Sequence, residues 1–468
     1  MSAQKLKVFV RLLGVAPAPW RRRAGGTLDG VAAMLLRRRA DHAVGAPLRV
    51  VGRWAAGRGA DALEWAATVG TATPTDALTA LRLARAALAL DAIETADRIA
   101  GALVDRGAGE SGAALTLRAD IALRTGRYAD AVALADRAIA APRRGAPLRG
   151  GAGGATAIRD RGASEVRVLA PGWRPTFEAH APRGPVSPVR GRVLHLLTNS
   201  LPYRQAGYTV RAQSIARSQR DVGLDPHLAT RAGFPLVDGV AGAPQIEVVD
   251  GIPYHRLAPN LEPGLGPDRV ATATARAGAR LVAELRPAVL HPASNFLNAQ
   301  VALALGDRFG IPVVYEVRGF LEETWASRQP RATGGRQGPG AAQARDTQKG
   351  SSADRYAGAK AAETACMLAA AAVVTLSETM RADIVGRGCK PENVIVVPNA
   401  VDIDRFVPGP RDDALAASLG IGDGETVLGY ISSFTGYEGI RFLIEAGAIL
   451  RDRGRRVRVL LVGDGEER

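Results

Sequence analysis

From Arg192 onward the chain alternates short apolar runs with helix-like stretches, and few architectures accommodate that pattern. Residues 192–197, 246–249, 288–291, 311–317, 372–376 and 394–397 read as strands. Between most of them lie stretches of helical periodicity, notably 209–222, 268–285 and 297–309. Apolar strands separated by helices predict a parallel sheet covered on both faces. Thr209 is the expected N-cap of the first of these helices and Gly223 its stop. After a connector carrying Pro408 and Pro410, the alternation restarts with a strand at 426–432, a helix at 439–450 and a strand at 457–463. Two strands and one helix leave an open sheet edge and uncovered apolar faces, so this reading expects a second α/β domain that is truncated.

Upstream, residues 1–141 read as an α-helical, Ala-rich region. Gly126, Tyr128, Ala131, Leu134, Ala135, Ala138 and Pro142 resemble one tetratricopeptide repeat, and 81–105 resembles a degenerate second copy. Two copies fall short of the three that a solenoid needs, so a small helical module stands as the other reading. Residues 142–190, with Gly and Pro in excess and few large apolar side chains, read as a linker. The polar stretch 329–352 reads as a mobile loop. The expected division is therefore 1–141 helical, 142–190 linker, 191–400 a first Rossmann-like domain and 401–468 the start of a second.

Charge and cysteine content narrow the function classes. The formal net charge is +15, with clusters at Arg21–Arg23, Arg37–Arg39 and Arg143–Arg144. Such a surface favours anionic membranes or phosphorylated substrates. No zinc-finger spacing, RNA-binding aromatic signature or basic zipper accompanies it, so nucleic acid is not an expected partner. Cys366 and Cys389 form neither a disulfide framework nor a metal motif, which fits a reducing cytoplasm. The six histidines are scattered without HxH or HExxH spacing, and no metal site is expected. The most apolar stretch, 369–376, is far short of the roughly 20 residues of a membrane span and reads as a helix end running into a buried strand.

Ligands in such sheets sit at the carboxyl ends of the strands. Thr198 to Tyr208 forms the first such loop, ahead of a helix whose free N–H groups attract anions. Gly207 there offers close backbone approach, and Arg204 and Arg211 offer charge. In the second loop, Glu316 and Arg318 lie two residues apart on one side of a strand end. Two readings of that pair stay open: a structural ion pair, or a substrate clamp in which Arg318 meets anionic or hydroxyl groups. His291, at another strand end, is a candidate for lining the same cleft, or a structural histidine. Asp402-Ile403-Asp404 spells DxD but lies in the connector, where local capping is the expectation. Gly420-Ile421-Gly422 precedes a strand instead of following one, so it fails as a dinucleotide fingerprint.

Several runs in order carry a family resemblance: Leu201 to Arg211, Val314 to Phe320, Val374 to Met380, and Val396-Val397-Pro398-Asn399-Ala400-Val401-Asp402, which is similar to a "PNGVD" crossover. With Gly429 to Phe434, Tyr437 to Ile440 and Leu461 to Gly465, they resemble the retaining GT-B glycosyltransferases of glycosyltransferase family 4. The match covers roughly 191–468. It implies two facing Rossmann-like domains, acceptor side first and nucleotide-sugar side second. It implies transfer with retention from a nucleotide-diphosphate sugar to a glycan or lipid-linked acceptor, without a cofactor or obligatory metal. Of the site residues, the resemblance carries over Gly207, Arg318, Ser377, Ser433 and Glu438; together with the strand-end loops the candidate set is Arg318 and Glu316 for catalysis, Gly207, Tyr208, Arg211, Ser432, Ser433 and Glu438 for donor and phosphate, and Arg204, Gln205, His291, Glu322 and Ser377 for the acceptor cleft. Ser433 and Glu438 depart from the family, standing where many members have the Arg and Lys that grip diphosphate. A downstream Glu pair of the family would fall beyond Arg468, so the isolated polypeptide is expected not to turn over. The leading expectation is an enzyme of cell-envelope or exopolysaccharide synthesis, in the cytoplasm, with the basic surface docking it peripherally at the inner membrane face. The rival from another class is an inactive GT-B remnant whose N-terminal helices bind a protein partner. A third reading is a GT-B sugar-nucleotide epimerase drawing on Glu316, Glu322 and Glu323.

Overall fold

The computed structural model describes residues 42–56, 59–72, 76–105, 107–141, 151–178, 184–327, 353–435 and 438–465. The arginine clusters at 21–23, 37–39 and 143–144, the stretch 329–352 and Tyr437 lie outside the described residues.

The N-terminal region is built of short helices in succession: α1 (His42–Ala55), α2 (Gly59–Thr71), α3 (Ala77–Ala89), α4 (Ile93–Asp105), α5 (Gly112–Arg124) and α6 (Tyr128–Ala140). Alanine dominates because it favours helix and lets neighbours close in. Asp76 caps α3 by accepting from the Thr79 N–H at 3.0 Å, and Ser111 caps α5 by accepting from Ala114 N–H at 3.3 Å. Val50, Leu83, Ile99, Leu103 and Ile121 meet in one buried cluster. In α6 the expected face is buried at Ala131, Ala135 and Ala138, with Leu134 half-buried.

The reading of 142–190 as a linker needs correction. Residues Gly151–Leu169 form a 19-residue helix, α7, that packs along α6. Composition misled because glycine here is a packing device. A Cβ on Gly162 would sit 3.0 Å from Val132 Cγ2, so the bare backbone is what lets the helices approach. Ala155 and Val168 are buried on the same helix. α7 also ties the helical region to the α/β domain: Arg167 pairs with Asp268 at 2.9 Å, and Gln300 Nε2 donates to the Val168 carbonyl at 2.7 Å.

The α/β domain contains β1 (Val189–Leu197), α8 (Gly207–Asp221), β2 (Asp225–Thr230), β3 (Ile246–Val249), β4 (Ile252–Arg256), α9 (Pro267–Leu285), β5 (Pro287–Pro292), α10 (Phe296–Phe309), β6 (Val314–Val317), α11 (Leu321–Ser327), α12 (Ala353–Ala369), β7 (Ala372–Thr375), α13 (Glu378–Gly386) and β8 (Val394–Val396). Strand order is β3-β4-β2-β1-β5 and β6-β7-β8, and bridges Leu290 to Val313 and Ala293 to Glu316 join the two sheets. Pairing is parallel except for β3 against β4. The core carries Leu194, Leu196, Leu290, Leu305, Tyr315 and Val317.

Two strands have no counterpart in the sequence reading, β2 and β4, because their buried faces carry polar groups paired with each other. His227 Nδ1 lies 3.0 Å from His255 Nε2 across the two strands. Arg256, fully buried, donates to Ser200 Oγ at 2.5 Å, to the Leu201 carbonyl at 2.9 Å and to Glu247 at 3.0 Å. Those bonds pin the loop after β1. The cap of α8 also shifts: Ala206 is the cap position, and Thr209 Oγ1 accepts from the Ala206 N–H at 3.0 Å from within the first turn.

Beyond β8, α14 (Asp413–Ser418) leads to β9 (Thr426–Ile431), α15 (Ile440–Asp452) and β10 (Val457–Val462), with β9 and β10 parallel. Ile431 and Phe442 are exposed there. Among the described residues no helix is long and apolar enough to cross a membrane. The apolar stretch at 369–376 is the end of α12 running into β7.

Candidate active site

The order of the sheet reverses between β1 and β5, whose following connections diverge to opposite sides. Loops that part in this way open a crevice at the carboxyl ends of the strands. A cavity of about 310 Å³ lies there, lined by Thr198 and Asn199 after β1, Tyr208 in the first turn of α8, Ser294 and Asn295 after β5, and the 318–321 segment after β6. Asn199 Nδ2 donates to Tyr208 Oη at 3.2 Å. The Asn199 Oδ1 atom and the Arg318 Nε atom are buried without hydrogen-bond partners among the described residues. Such orphaned groups are costly unless something polar meets them.

Arg318 is fixed on three sides. Its backbone N–H donates to Ser294 Oγ at 2.8 Å, its Nη1 to the Tyr208 carbonyl at 2.7 Å and its Nη2 to Glu316 Oε2 at 2.6 Å. The bond to Tyr208 joins the tip of β6 to the first turn of α8, whose leading N–H groups have no helical partners. Gly207 opens that turn, and a Cβ placed on it would meet open space.

Glu316 has no solvent exposure, and its other oxygen accepts from Arg211 Nε at 2.8 Å. Burial alone would raise its pKa. His291 at 3.6 Å and the Arg318 guanidinium outweigh that and hold the carboxyl well below the usual range. Two guanidinium groups against one carboxylate leave a net positive charge under the cavity. Arg211 spends its remaining donors on the crossover after β8: the carbonyls of Val397 and Pro398 at 2.9 and 3.1 Å, and Asn399 Oδ1 at 3.0 Å. It therefore anchors that crossover and the Glu316 carboxylate, and it does not line the cavity.

The remaining sequence candidates scatter. His291 is buried beneath the cavity, stacked on His195 at 4.4 Å between ring centroids, and lines neither described cavity. Burial, then the neighbouring His291, lowers the pKa of His195 to about 3, so that ring is neutral. Glu322 is buried and accepts from Arg387 Nη1 at 2.8 Å. It belongs to a second, adjoining cavity. Ser377 caps α13 by accepting from the Met380 N–H at 3.2 Å. Arg204 and Gln205 are exposed on the loop before α8, outside the cavity lining. Ser432, Ser433 and Glu438 follow β9, also outside the lining. Asp402 Oδ1 accepts from the N–H groups of Asp404 and Arg405 at 3.1 and 3.2 Å, the local capping expected of that DxD.

Sequence reasoning missed Ser294 and Asn295, short polar residues at a strand end with no charge to draw attention. It also missed Glu363 on α12. That carboxyl accepts from the Phe296 N–H at 3.0 Å at the start of α10 and from Tyr315 Oη at 2.5 Å. Burial pushes its pKa up to about 7. Nothing in the local sequence at 363 points to partners 48 and 67 residues away.

With that geometry in place, residues 206–400 match the model of the Glycosyl transferase 4-like domain. Over 294 residues the chain is 25% identical to the D-inositol 3-phosphate glycosyltransferase of Geodermatophilus obscurus, covering 58% of this chain and 59% of that protein. Over 102 residues it is 34% identical to the 2-deoxystreptamine glucosyltransferase of Streptomyces kanamyceticus, covering 21% of this chain and 26% of that one. The catalytic domain of starch synthase IV from Arabidopsis thaliana, solved bound to ADP and acarbose, aligns with a TM-score of 0.39 and 13% identity, over 58% of this chain and 68% of that one. The chain spans less than two thirds of the length of these curated relatives. The segment bearing α8, Glu316, Arg318 and the crossover after β8 is thus similar to a glycosyl transferase 4-like domain.

Proposed function

We propose that this protein is a glycosyltransferase that moves a sugar from a nucleotide-diphosphate sugar to a glycan or lipid-linked acceptor. One observation carries the reading. At the reversal of strand order, the open first turn of α8 and the guanidinium of Arg318 converge on one cavity, inside the span similar to the glycosyl transferase 4-like domain. Both features favour an anion: the helix N-terminus by its free N–H groups and dipole, Arg318 by its charge and its unpartnered Nε. A diphosphate departing from the anomeric carbon gains negative charge. Preorganised donors stabilise such charge because they need no reorientation as it develops. In this reading Glu316 is a positioning residue that holds Arg318.

Transfer with retention fits the same site. Front-face departure and attack need no carboxylate against the donor, and among the described residues lining this cavity there is none. The likeness to a D-inositol 3-phosphate glycosyltransferase and a 2-deoxystreptamine glucosyltransferase supports a polyol or sugar acceptor. The net charge of +15 supports work near an anionic surface.

Donor binding tests the proposal. A panel of UDP-, GDP-, TDP- and ADP-sugars, each titrated to roughly a hundredfold excess over its Kd, should contain one that stabilises the full-length protein by about 2–3 kcal/mol and raises its Tm by several degrees. A panel in which every member leaves the Tm unchanged would refute the reading.

A further inference from the structure

A second cavity, of about 330 Å³, lies between the helical region and the sheet, and no part of the donor reading uses it. It shares Thr198, Asn295 and Leu321 with the first cavity, so the two are contiguous. One wall comes from the helical region, through Tyr128 of α6 and Arg161, Glu165 and Val168 of α7. The opposite wall carries Arg231, just past β2, and Trp325 of α11.

Most charges around it are already matched. Arg161 pairs with Glu165 at 2.8 Å, and Glu322 with Arg387 at 2.8 Å. Arg355 lies over the Trp325 ring, 5.3 Å from its centroid. Among the described residues lining it, two buried polar atoms are left over. Arg231 Nε and Glu322 Oε2 are both buried without a hydrogen-bond partner. A buried cationic donor and a buried carboxylate acceptor, both lining one cavity beside an indole, form a complementary set. An anion answers the first, a hydroxyl the second, and the apolar face of a sugar ring answers Trp325.

We propose that this cavity is the acceptor subsite, that it takes an anionic sugar whose negative group meets Arg231, and that α7 of the helical region builds part of it. The assignment of an acceptor rests on the glycosyltransferase reading above. It gives the N-terminal helices a role in substrate recognition. The continuity of the two cavities lets one hydroxyl of that sugar reach the site under Tyr208 and Arg318.

The probes are glucose 6-phosphate, glucuronate and glucose, titrated against the full-length protein with binding read by thermal shift and by ligand-observed NMR. Glucose 6-phosphate or glucuronate should bind, and glucose should bind at least about tenfold more weakly. Binding of the phosphate alone or of the carboxylate alone identifies which anion the site prefers, and either supports the proposal. Arg231→Gln should weaken the anionic sugars by about tenfold or more, and Arg231→Lys should retain part of the affinity. Arg161→Glu, an exposed position on α7, should weaken them by roughly threefold, with a drop of about a degree or two in the Tm of the free protein from the lost pair with Glu165 and the lost bond to the Leu265 carbonyl. Equal binding of glucose, or anionic binding untouched by Arg231→Gln and Arg161→Glu, overturns the assignment. Arg231-dependent binding in a protein that ignores every nucleotide sugar supports the cavity and removes the donor reading alone. A protein that binds a nucleotide sugar but none of the three probes loses the cavity assignment alone.

Discussion

Glu316→Gln should destabilise the protein by about 3–5 kcal/mol, the usual loss when one partner of a buried ion pair is removed. The substitution keeps the shape of the side chain and deletes its charge. Arg211 and Arg318, both held against that carboxylate at 2.8 and 2.6 Å, would then be neighbouring buried cations without a counterion. Thermal melts near neutral pH should show a drop of several degrees at least. The acid limb carries a second signature. The Glu316 pKa is depressed in the folded protein. Its contribution to stability is therefore complete above the ordinary carboxylate range and is lost as pH falls through the folded value. The wild type should lose that stability in strong acid, and Glu316→Gln should lack that part of the decline. A variant that melts within a degree or two of the wild type would show that the two arginines are not buried on this carboxylate.

Arg318→Ala should leave the fold largely intact and remove the chemistry. Glu316 keeps Arg211 as its partner, so no buried carboxylate is stranded. What disappears is the guanidinium that faces the cavity and the bond that ties β6 to the Tyr208 carbonyl. Loss of one preorganised donor to a developing anion lowers kcat by roughly 100- to 1000-fold. Release of sugar from the donor by the full-length protein should fall by that order, with the melting temperature within a few degrees of the wild type. Arg318→Lys should recover little, because an ammonium cannot reach the Tyr208 carbonyl and Glu316 with the geometry of a planar fork. Turnover of Arg318→Ala within threefold of the wild type would remove Arg318 from the catalytic machinery.

The parts of this molecule that were readable in advance are those whose cause is local. Strands β1, β5, β6 and β7 announce themselves as apolar runs, and the reversal between β1 and β5 opens the crevice beside which Gly207, after β1, and Arg318, after β6, stand. The rest depends on partners distant in sequence. Arg211 reads as a phosphate ligand until its carbonyl partners at 397 and 398, nearly two hundred residues on, come into contact with it. β2 and β4 escape because His227, His255 and Arg256 break the apolar pattern, and each is satisfied only by the folded neighbourhood. α7 escapes because glycine on a helix contact face and glycine in a flexible linker have the same composition. The second cavity was hidden for the same reason, since one of its walls is that helix.

The most direct measurement is amide hydrogen exchange of the full-length protein with and without the nucleotide sugar that raises its Tm. The account predicts added protection at 206–210, in the first turn of α8, and at 318–320, after β6, together, because one ligand spans both. Protection confined to other segments, or slowed exchange at one of these places with the other unchanged, would contradict it.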